Sequence, residues 1–276
     1  MSKRYRSSDI TGELIVLGSG TSVGVPAIGC GCDVCQSGSP KNNRSRCAVA
    51  IGLPNGNLLI DTPPDLRQQL LREDIGIVHA VAYTHEHADH LHGLDDLRLF
   101  PFYLGHAVPL YCEEVVEARI RHTFDYAFNS ETPTHAGSAP QLTLHRIAPG
   151  KSVELLGTSI LPIRLNHGPR FEVLGFRIGN VAYCTDTNSI PESSMRMLEG
   201  LDVLILDALR STPHVSHFSL DEAIAVAEQL AATRTVFTHL SHDFDHDTIN
   251  AMLPEGMELA YDGMRIPVPV VTTSRS

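Results

Sequence analysis

Residues 84–90 read Thr-His-Glu-His-Ala-Asp-His. A packed interior has no use for three imidazoles and a carboxylate side by side, because each must find a partner or lose its hydration. Whatever fold the chain adopts must bring further polar groups, or a metal, to this segment. His85, His87, Asp89 and His90 are all ligand types for a borderline or hard divalent cation. His85 and His87 are two apart, so in an extended chain they point the same way. Asp89 and His90 fall where the chain turns into a helix and point to a second position nearby. One short segment thus offers two ligands to each of two adjacent metals.

Composition narrows the setting. The chain has 276 residues, enough for one large domain or two small ones, and its 42% hydrophobic content suits a sizeable core. Its 21 basic and 32 acidic residues give a formal charge of −11. That argues against a stable nucleic-acid complex, which rests on Lys and Arg neutralising phosphates. It leaves room for a small anionic substrate held by metal ions. Residues 1–10 are polar and basic, and no apolar run is long enough to span a bilayer. No membrane partner and a cytoplasmic location are therefore expected, with cysteines reduced and free to bind metal. Cys30, Cys32 and Cys35 fall in Cys-Gly-Cys-Asp-Val-Cys, the thiolate-rich pattern of a closed structural zinc site. His242, three residues after His239, offers the fourth ligand.

The pattern of the chain is short apolar strands alternating with helices, without repeats or low-complexity segments. β-branched runs bounded by Gly, Pro or Asn predict strands over Glu13–Leu17, Cys47–Ile51, Asn57–Asp61, His79–Thr84, Val108–Tyr111, Leu142–Ile147, Ser159–Leu165, Val173–Ile178, Val181–Cys184, Val203–Asp207 and Thr235–Thr238. Helices are predicted over Asp65–Glu73, His90–Phe100, Glu113–His122, Glu192–Leu198 and Leu220–Ala231. The last has the clearest start, a capping box of Ser219 with Glu222, followed by a stripe of Leu220, Ile224, Ala227 and Ala231. This mixture fits two packed sheets with helices outside, and not a simple doubly wound sheet. The stretch 122–141 is the least regular. It carries Phe124, Tyr126 and Phe128, which makes it a candidate lid. Anchoring of the loop to the core by these rings is an equal reading.

Further ligands are expected from distant sequence. His167 in Asn-His-Gly-Pro, Asp186 in Cys-Thr-Asp-Thr and His239 in Thr-His-Leu each follow a predicted strand directly. A lone strand-end His is ordinarily a surface residue, and a lone strand-end Asp a turn former or helix cap. Beside the heptapeptide, the three make a coherent set.

His-x-His-x-Asp-His followed by a His, an Asp and a His in that order resembles the metallo-β-lactamase superfamily. The likeness runs from the first strand to His239. It implies a single α/β domain over 1–276 with an αββα sandwich and two divalent metals, Zn or Mn, at one edge. By resemblance His85, His87 and His167 hold one metal. Asp89, His90 and His239 hold the other, and Asp186 bridges them. Asp61, in Leu-Leu-Ile-Asp-Thr, matches a position whose carboxylate braces the metal loop. His87 stands where a diiron oxidoreductase has Glu.

The cysteine loop sharpens the resemblance. Cys30, Cys32, Cys35 and His242, together with Gly18-Ser19-Gly20-Thr21 and Tyr261-Asp262-Gly263-Met264, resemble the PhnP-type phosphodiesterases, and the cysteine loop is shared with PqqB-like proteins. The resemblance implies one structural Zn and leaves room for a homodimer. His217, ahead of the capped helix, corresponds to a His that protonates the leaving group in PhnP-type and ribonuclease Z-type enzymes, and His214 is its neighbour. The expected reaction is hydrolysis of a small phosphate diester, cyclic or linear, by metal-activated water, with His217 as acid and Asp186 at the metals. Arg170 is a candidate for a phosphate oxygen or a solvated surface residue. The alternatives are a PqqB-like accessory or carrier protein, a ribonuclease Z-like enzyme and a thioesterase. The histidines at 79, 92, 106, 122, 135, 145, 214 and 246 are given no metal role.

Overall fold

Period-two alternation decides the architecture. In Leu58-Leu59-Ile60 the outer two side chains face one way and the middle one the other, and all three are buried. A strand buried on both faces must lie between two layers. The computed structural model describes residues 9–129 and 137–269. Its strands are β1 Glu13–Gly18, β2 Ala48–Leu53, β3 Gly56–Ile60, β4 Ala80–Ala82, β5 Val108–Cys112, β6 Leu142–Arg146, β7 Val153–Leu155, β8 Thr158–His167, β9 Phe171–Ile178, β10 Val181–Cys184, β11 Val203–Asp207, β12 Arg234–Thr238, β13 Met257–Leu259 and β14 Arg265–Pro267. Its α-helices are α1 Leu66–Arg72, α2 Ala88–Leu91, α3 Phe100–Leu104, α4 Glu114–Thr123, α5 Glu192–Met197, α6 Leu220–Leu230 and α7 His246–Asn250.

Two seven-stranded mixed sheets result, ordered β14-β1-β2-β3-β4-β5-β6 and β13-β12-β11-β10-β9-β8-β7. β3 to β6 run parallel in the first, and β10 to β13 run parallel in the second. Three apolar layers separate the elements. Leu14, Val16, Leu58 and Ile60 meet Leu174, Phe176, Tyr183 and Ile205 between the sheets. Leu59 and Val81 pack outward with Leu66, Leu70 and Ile120 of the first helical layer. Leu204 and Phe237 pack outward with Ala223, Ala227 and Leu230 of the second. This is the expected αββα sandwich.

Some boundaries differ from expectation. The helix expected over His90–Phe100 is broken into α2, a 3-10 segment Leu94–Leu99 and α3. The break is at Gly93, whose N–H leaves the helical ladder and donates to the Thr62 carbonyl at 2.8 Å. A Cβ there would lie 2.0 Å from the Pro63 oxygen, so only glycine permits the approach. The expected strand His79–Thr84 pairs only over Ala80–Ala82. The α6 capping box forms, but its buried stripe is Ala223, Ala227 and Leu230, with Leu220 and Ile224 at the margin. β7, β13 and β14 have three residues each, too few to show an alternation in sequence, and the five-residue α7 is likewise too short to show a helical period. The lid segment 122–141 lies partly outside the described residues. Within them Phe124 is buried, and Tyr126 and Phe128 pack against the first helical core. These rings anchor the chain.

The two ends of the chain are joined by one buried carboxylate. Asp262, between β13 and β14, accepts from Ser19 N–H at 2.9 Å and Ser19 Oγ at 2.8 Å through Oδ1. Oδ2 accepts from Ser45 N–H at 2.9 Å, Ser45 Oγ at 2.6 Å and Arg72 Nη1 at 3.1 Å. Burial raises its pKa, against the pull of these donors. Asp262→Ala is expected to lower the unfolding free energy by about 2–4 kcal/mol, because it strands several buried donors. Urea denaturation of the variant measures this.

Candidate functional site

The polar residues gather where strands end. β3 leads into Asp61, β4 into Thr84–His90, β8 ends at His167, β10 leads into Asp186, β11 ends at Asp207 and β12 leads into His239. Three of these residues turn away from their strands in the left-handed region: Asp61 at φ 67°, Asp186 at φ 55° and His239 at φ 60°. Non-glycine residues rarely adopt this conformation, and such strain clusters at functional sites. No feature of the sequence announces it.

Asp61 is fully buried and sets the heptapeptide in place. Its Oδ1 accepts from Thr84 N–H at 2.8 Å, and its Oδ2 accepts from Thr84 Oγ1 at 2.7 Å and meets His90 Nδ1 at 2.8 Å. With Nδ1 engaged, His90 is left to point Nε2 at the cluster. There it lies 3.3 Å from Asp89 Oδ2 and 3.3 Å from Asp186 Oδ2. His239 Nε2 is 3.4 Å from the same Asp186 oxygen, and His85 Nε2 is 3.8 Å from it. One carboxylate oxygen thus faces three imidazoles. His85 Nε2 and His87 Nδ1 converge to 2.9 Å. His167 is oriented by its Nδ1, 2.8 Å from the Ser216 carbonyl.

The ligand atoms form two groups, each within 4.8 Å: His85, His87 and His167, and Asp89, His90, Asp186 and His239. All the residues expected at the two metals are brought together. The donors fit divalent cations on two observations. His90 Nε2 and both His239 ring nitrogens are buried without an aligned hydrogen bond, although carboxylate oxygens lie 3.3–3.4 Å from the two Nε2 atoms, a costly state that a cation between them would relieve. Burial also pushes His239 down to about 3 and His85 well below the usual range. Asp186 is opposed in ionising by burial, yet His239 and His90 hold it well below the carboxylate range. Neutral imidazole and ionised carboxylate are the forms that ligate. His90 is the exception: despite burial, Asp186, Asp89 and Asp61 push it up.

A separate cluster joins the cysteine loop to His242. Cys30, Cys32 and Cys35 Sγ lie 3.2, 3.6 and 3.4 Å from His242 Nδ1. Tetrahedral zinc with Zn–S about 2.3 Å and Zn–N about 2.0–2.1 Å requires S···N separations of about 3.6 Å. The cluster therefore fits that metal. Fully buried Arg44 fixes the segment carrying His242, donating to the Ser241 carbonyl at 2.7 Å and the Phe244 carbonyl at 2.6 Å.

His217 reaches the main cluster from another side. Its Nδ1 is 2.7 Å from Asp207 Oδ2, and its ring stacks on His239 with centroids 4.4 Å apart and lies 4.7 Å from His167. Burial disfavours its charge, but Asp207 outweighs this and pushes it up to about 9. His214 is 5.3 Å from His217, and its Nδ1 faces Ser216 where His217 has a carboxylate. Asp207 is a site residue that sequence reasoning misses. It ends an apolar strand, and only the His ten residues later reveals its use. Arg170 is exposed.

The family is decided by the sequence match. Residues 56–240 fit the model of the beta-lactamase superfamily domain. The chain belongs to the metallo-β-lactamase superfamily. A solved diphosphatase of the PhnP family is 46% identical with a TM-score of 0.85, covering 92% of this chain and 96% of that one. An octanoyltransferase of Porphyromonas gingivalis is 36% identical over 91% of this chain, which spans only 50% of that protein. Zinc-bound PqqB of Methylobacterium extorquens shares the fold at 20% identity and TM-score 0.73, over 93% of this chain and all of that one.

Asp61→Ala is expected to destabilise the metal-free protein by about 3 kcal/mol or more, since it leaves the buried Thr84 N–H, Thr84 Oγ1 and His90 Nδ1 without their acceptor. Urea unfolding after chelation tests this without interference from metal binding.

Proposed function

We propose that this protein hydrolyses a small phosphate diester, cyclic or linear, with two divalent metals, Zn or Mn, and with His217 as the acid for the leaving group. One observation carries the reading: the His217–Asp207 pair, 2.7 Å apart, sits directly against the imidazoles of the cluster. His85, His87 and His167 would hold one metal, and Asp89, His90 and His239 the other, with Asp186 shared. Bound there, the cations would polarise phosphoryl oxygens and lower the pKa of water to about 7.

The chain's own residues account for the rest. Asp61 holds Thr84 and His90 in register, so the loop that bears the ligands cannot swing out. Asp207 accepts the Nδ1 hydrogen of His217, which leaves the second proton on Nε2, available to a departing oxygen. An alkoxide leaves poorly, so a diester hydrolase needs this proton more than a lactamase or thioesterase does. Such an acid contributes about 10²–10⁴-fold. Three cysteines with His242 would hold one structural zinc.

The 46% identical diphosphatase of the PhnP family supports chemistry at phosphorus. Octanoyl transfer is less well supported, because the chain spans half of that relative and acyl transfer calls for a reactive nucleophile. Outside the cysteine loop, the thiols Cys47, Cys112 and Cys184 are buried and pushed up by burial, which makes them inert. A carrier role of the PqqB kind would not require the complete ligand set.

His217→Ala is expected to slow hydrolysis of an unactivated alkyl diester by about 10²-fold or more, and that of bis(p-nitrophenyl) phosphate far less. Equal losses on both would sink the acid role, since nitrophenolate hardly needs a proton. Metal analysis is expected to give two active-site metals and one further zinc per chain. Cys30→Ser should remove the zinc alone and lower Tm, because metal binding is folding energy.

A further inference from the structure

A cavity of about 310 Å³ adjoins His217 and is lined also by Ser22, Arg210, His214, His242 and Asp243. One wall thus belongs to the cysteine cluster, through His242, whose Nδ1 faces the three sulfurs, and another to His217, which stacks on His239 of the main cluster. A group that protonates a departing oxygen must sit beside that oxygen. The rest of the leaving group then extends into space next to the acid, and this cavity has His217 in its wall.

Its lining says what fits. Arg210 is half-buried there. Its Nε donates to the Thr212 carbonyl at 3.1 Å and its Nη2 to the Pro213 carbonyl at 2.8 Å. Both partners are neutral, so the guanidinium charge is not compensated by them. The lining also holds one carboxylate, Asp243, whose Oδ2 accepts from Ser211 Oγ at 3.2 Å; it faces the same cavity as Arg210, so the guanidinium must outweigh it for an anion to bind. His214 turns its Nδ1 to Ser216 N–H at 3.3 Å. A guanidinium fixed by two carbonyls is pre-organised, and its free edge suits the planar fork of a carboxylate or two oxygens of a phosphoryl group. The −11 charge of the whole chain works against anions at long range. Within contact distance the local cation dominates, because exposed charges farther off are screened within about 10 Å at 0.1 M salt.

The geometry points to this cavity as the leaving-group subsite and to Arg210 as the residue that selects an anionic substituent on the leaving group. The assignment rests on the acid role of His217. It adds a specificity element that the metal cluster, which sees only the phosphoryl centre, does not supply.

The test uses the metal-loaded protein and two diesters, methyl 3-carboxyphenyl phosphate and methyl 3-carbamoylphenyl phosphate. Their leaving phenols are similar in size and acidity and differ in charge. Hydrogen bonds to a charged group predict a carboxyl-to-carbamoyl ratio in kcat/KM of about 10 for the wild type. The ratio is expected to fall to about 1 in Arg210→Gln and to be partly restored in Arg210→Lys. An Arg210→Gln variant that slows both diesters equally would overturn the proposal, because the guanidinium would then only brace the 211–213 turn. So would a wild type without preference. Calorimetric titration with 3-hydroxybenzoate and 3-hydroxybenzamide separates this proposal from the hydrolase reading. Benzoate binding that is lost in Arg210→Gln supports the subsite even if neither diester turns over. Turnover with equal affinity for both phenols rejects it.

Discussion

The buried carboxylate of Asp61 is the contact on which the site depends. It sits at the end of β3, has no solvent exposure, and ties together two residues of the heptapeptide and, through them, the start of α2. A charge so placed costs several kcal/mol unless its lone pairs are filled. Here Thr84 supplies two hydrogens and His90 a third, so the compensation and the positioning are the same interactions. The backbone repeats the tie: Thr62 N–H donates to the His90 carbonyl, and Gly93 N–H returns to the Thr62 carbonyl, each at 2.8 Å. The loop bearing four ligand-type residues is thereby a rigid extension of the sheet.

This rigidity has a cost in regular structure. Gly93 leaves the helical ladder to reach Thr62, and the helix that periodicity predicts becomes three short pieces. Asp61, Asp186 and His239 accept left-handed backbone, a strain of order 1–3 kcal/mol each. Local preferences yield where the cluster needs them to. Three of the six non-glycine residues with left-handed backbone among the described residues lie at this cluster, while Asp74, Leu156 and Ala231 close turns or a helix elsewhere.

The αββα layers and the residues of the cluster are legible in the sequence, and for physical reasons. Strands buried on both faces read as continuous apolar runs, and ligand-type residues directly after them stand out. His242 is recognisable because three thiolates within six residues call for a metal, and a tetrahedral metal calls for a fourth ligand. What stays hidden depends on long-range contact. Asp207 looks like any strand end until His217 lies 2.7 Å away. The Tyr261–Met264 motif stands out in the sequence, but the work of Asp262 emerges only when Ser19 and Ser45 come to it from the other end of the chain. β7, β13 and β14 are edge strands of three residues, held by their neighbours and not by their own propensity.

The four-residue span His239–His242 has a consequence for how the molecule assembles. One end enters the histidine–aspartate cluster, and the other meets cysteines more than 200 residues earlier in the chain. The main cluster itself draws on segments from residue 61 to residue 239, divided between the two sheets. Contacts of such sequence separation form late, because the loop-closure entropy must be met before they return anything. Neither cluster can exist in a half-folded chain with one sheet complete. The ligand geometry is therefore a property of the docked sandwich, and the molecule acquires it only when its two halves have found each other.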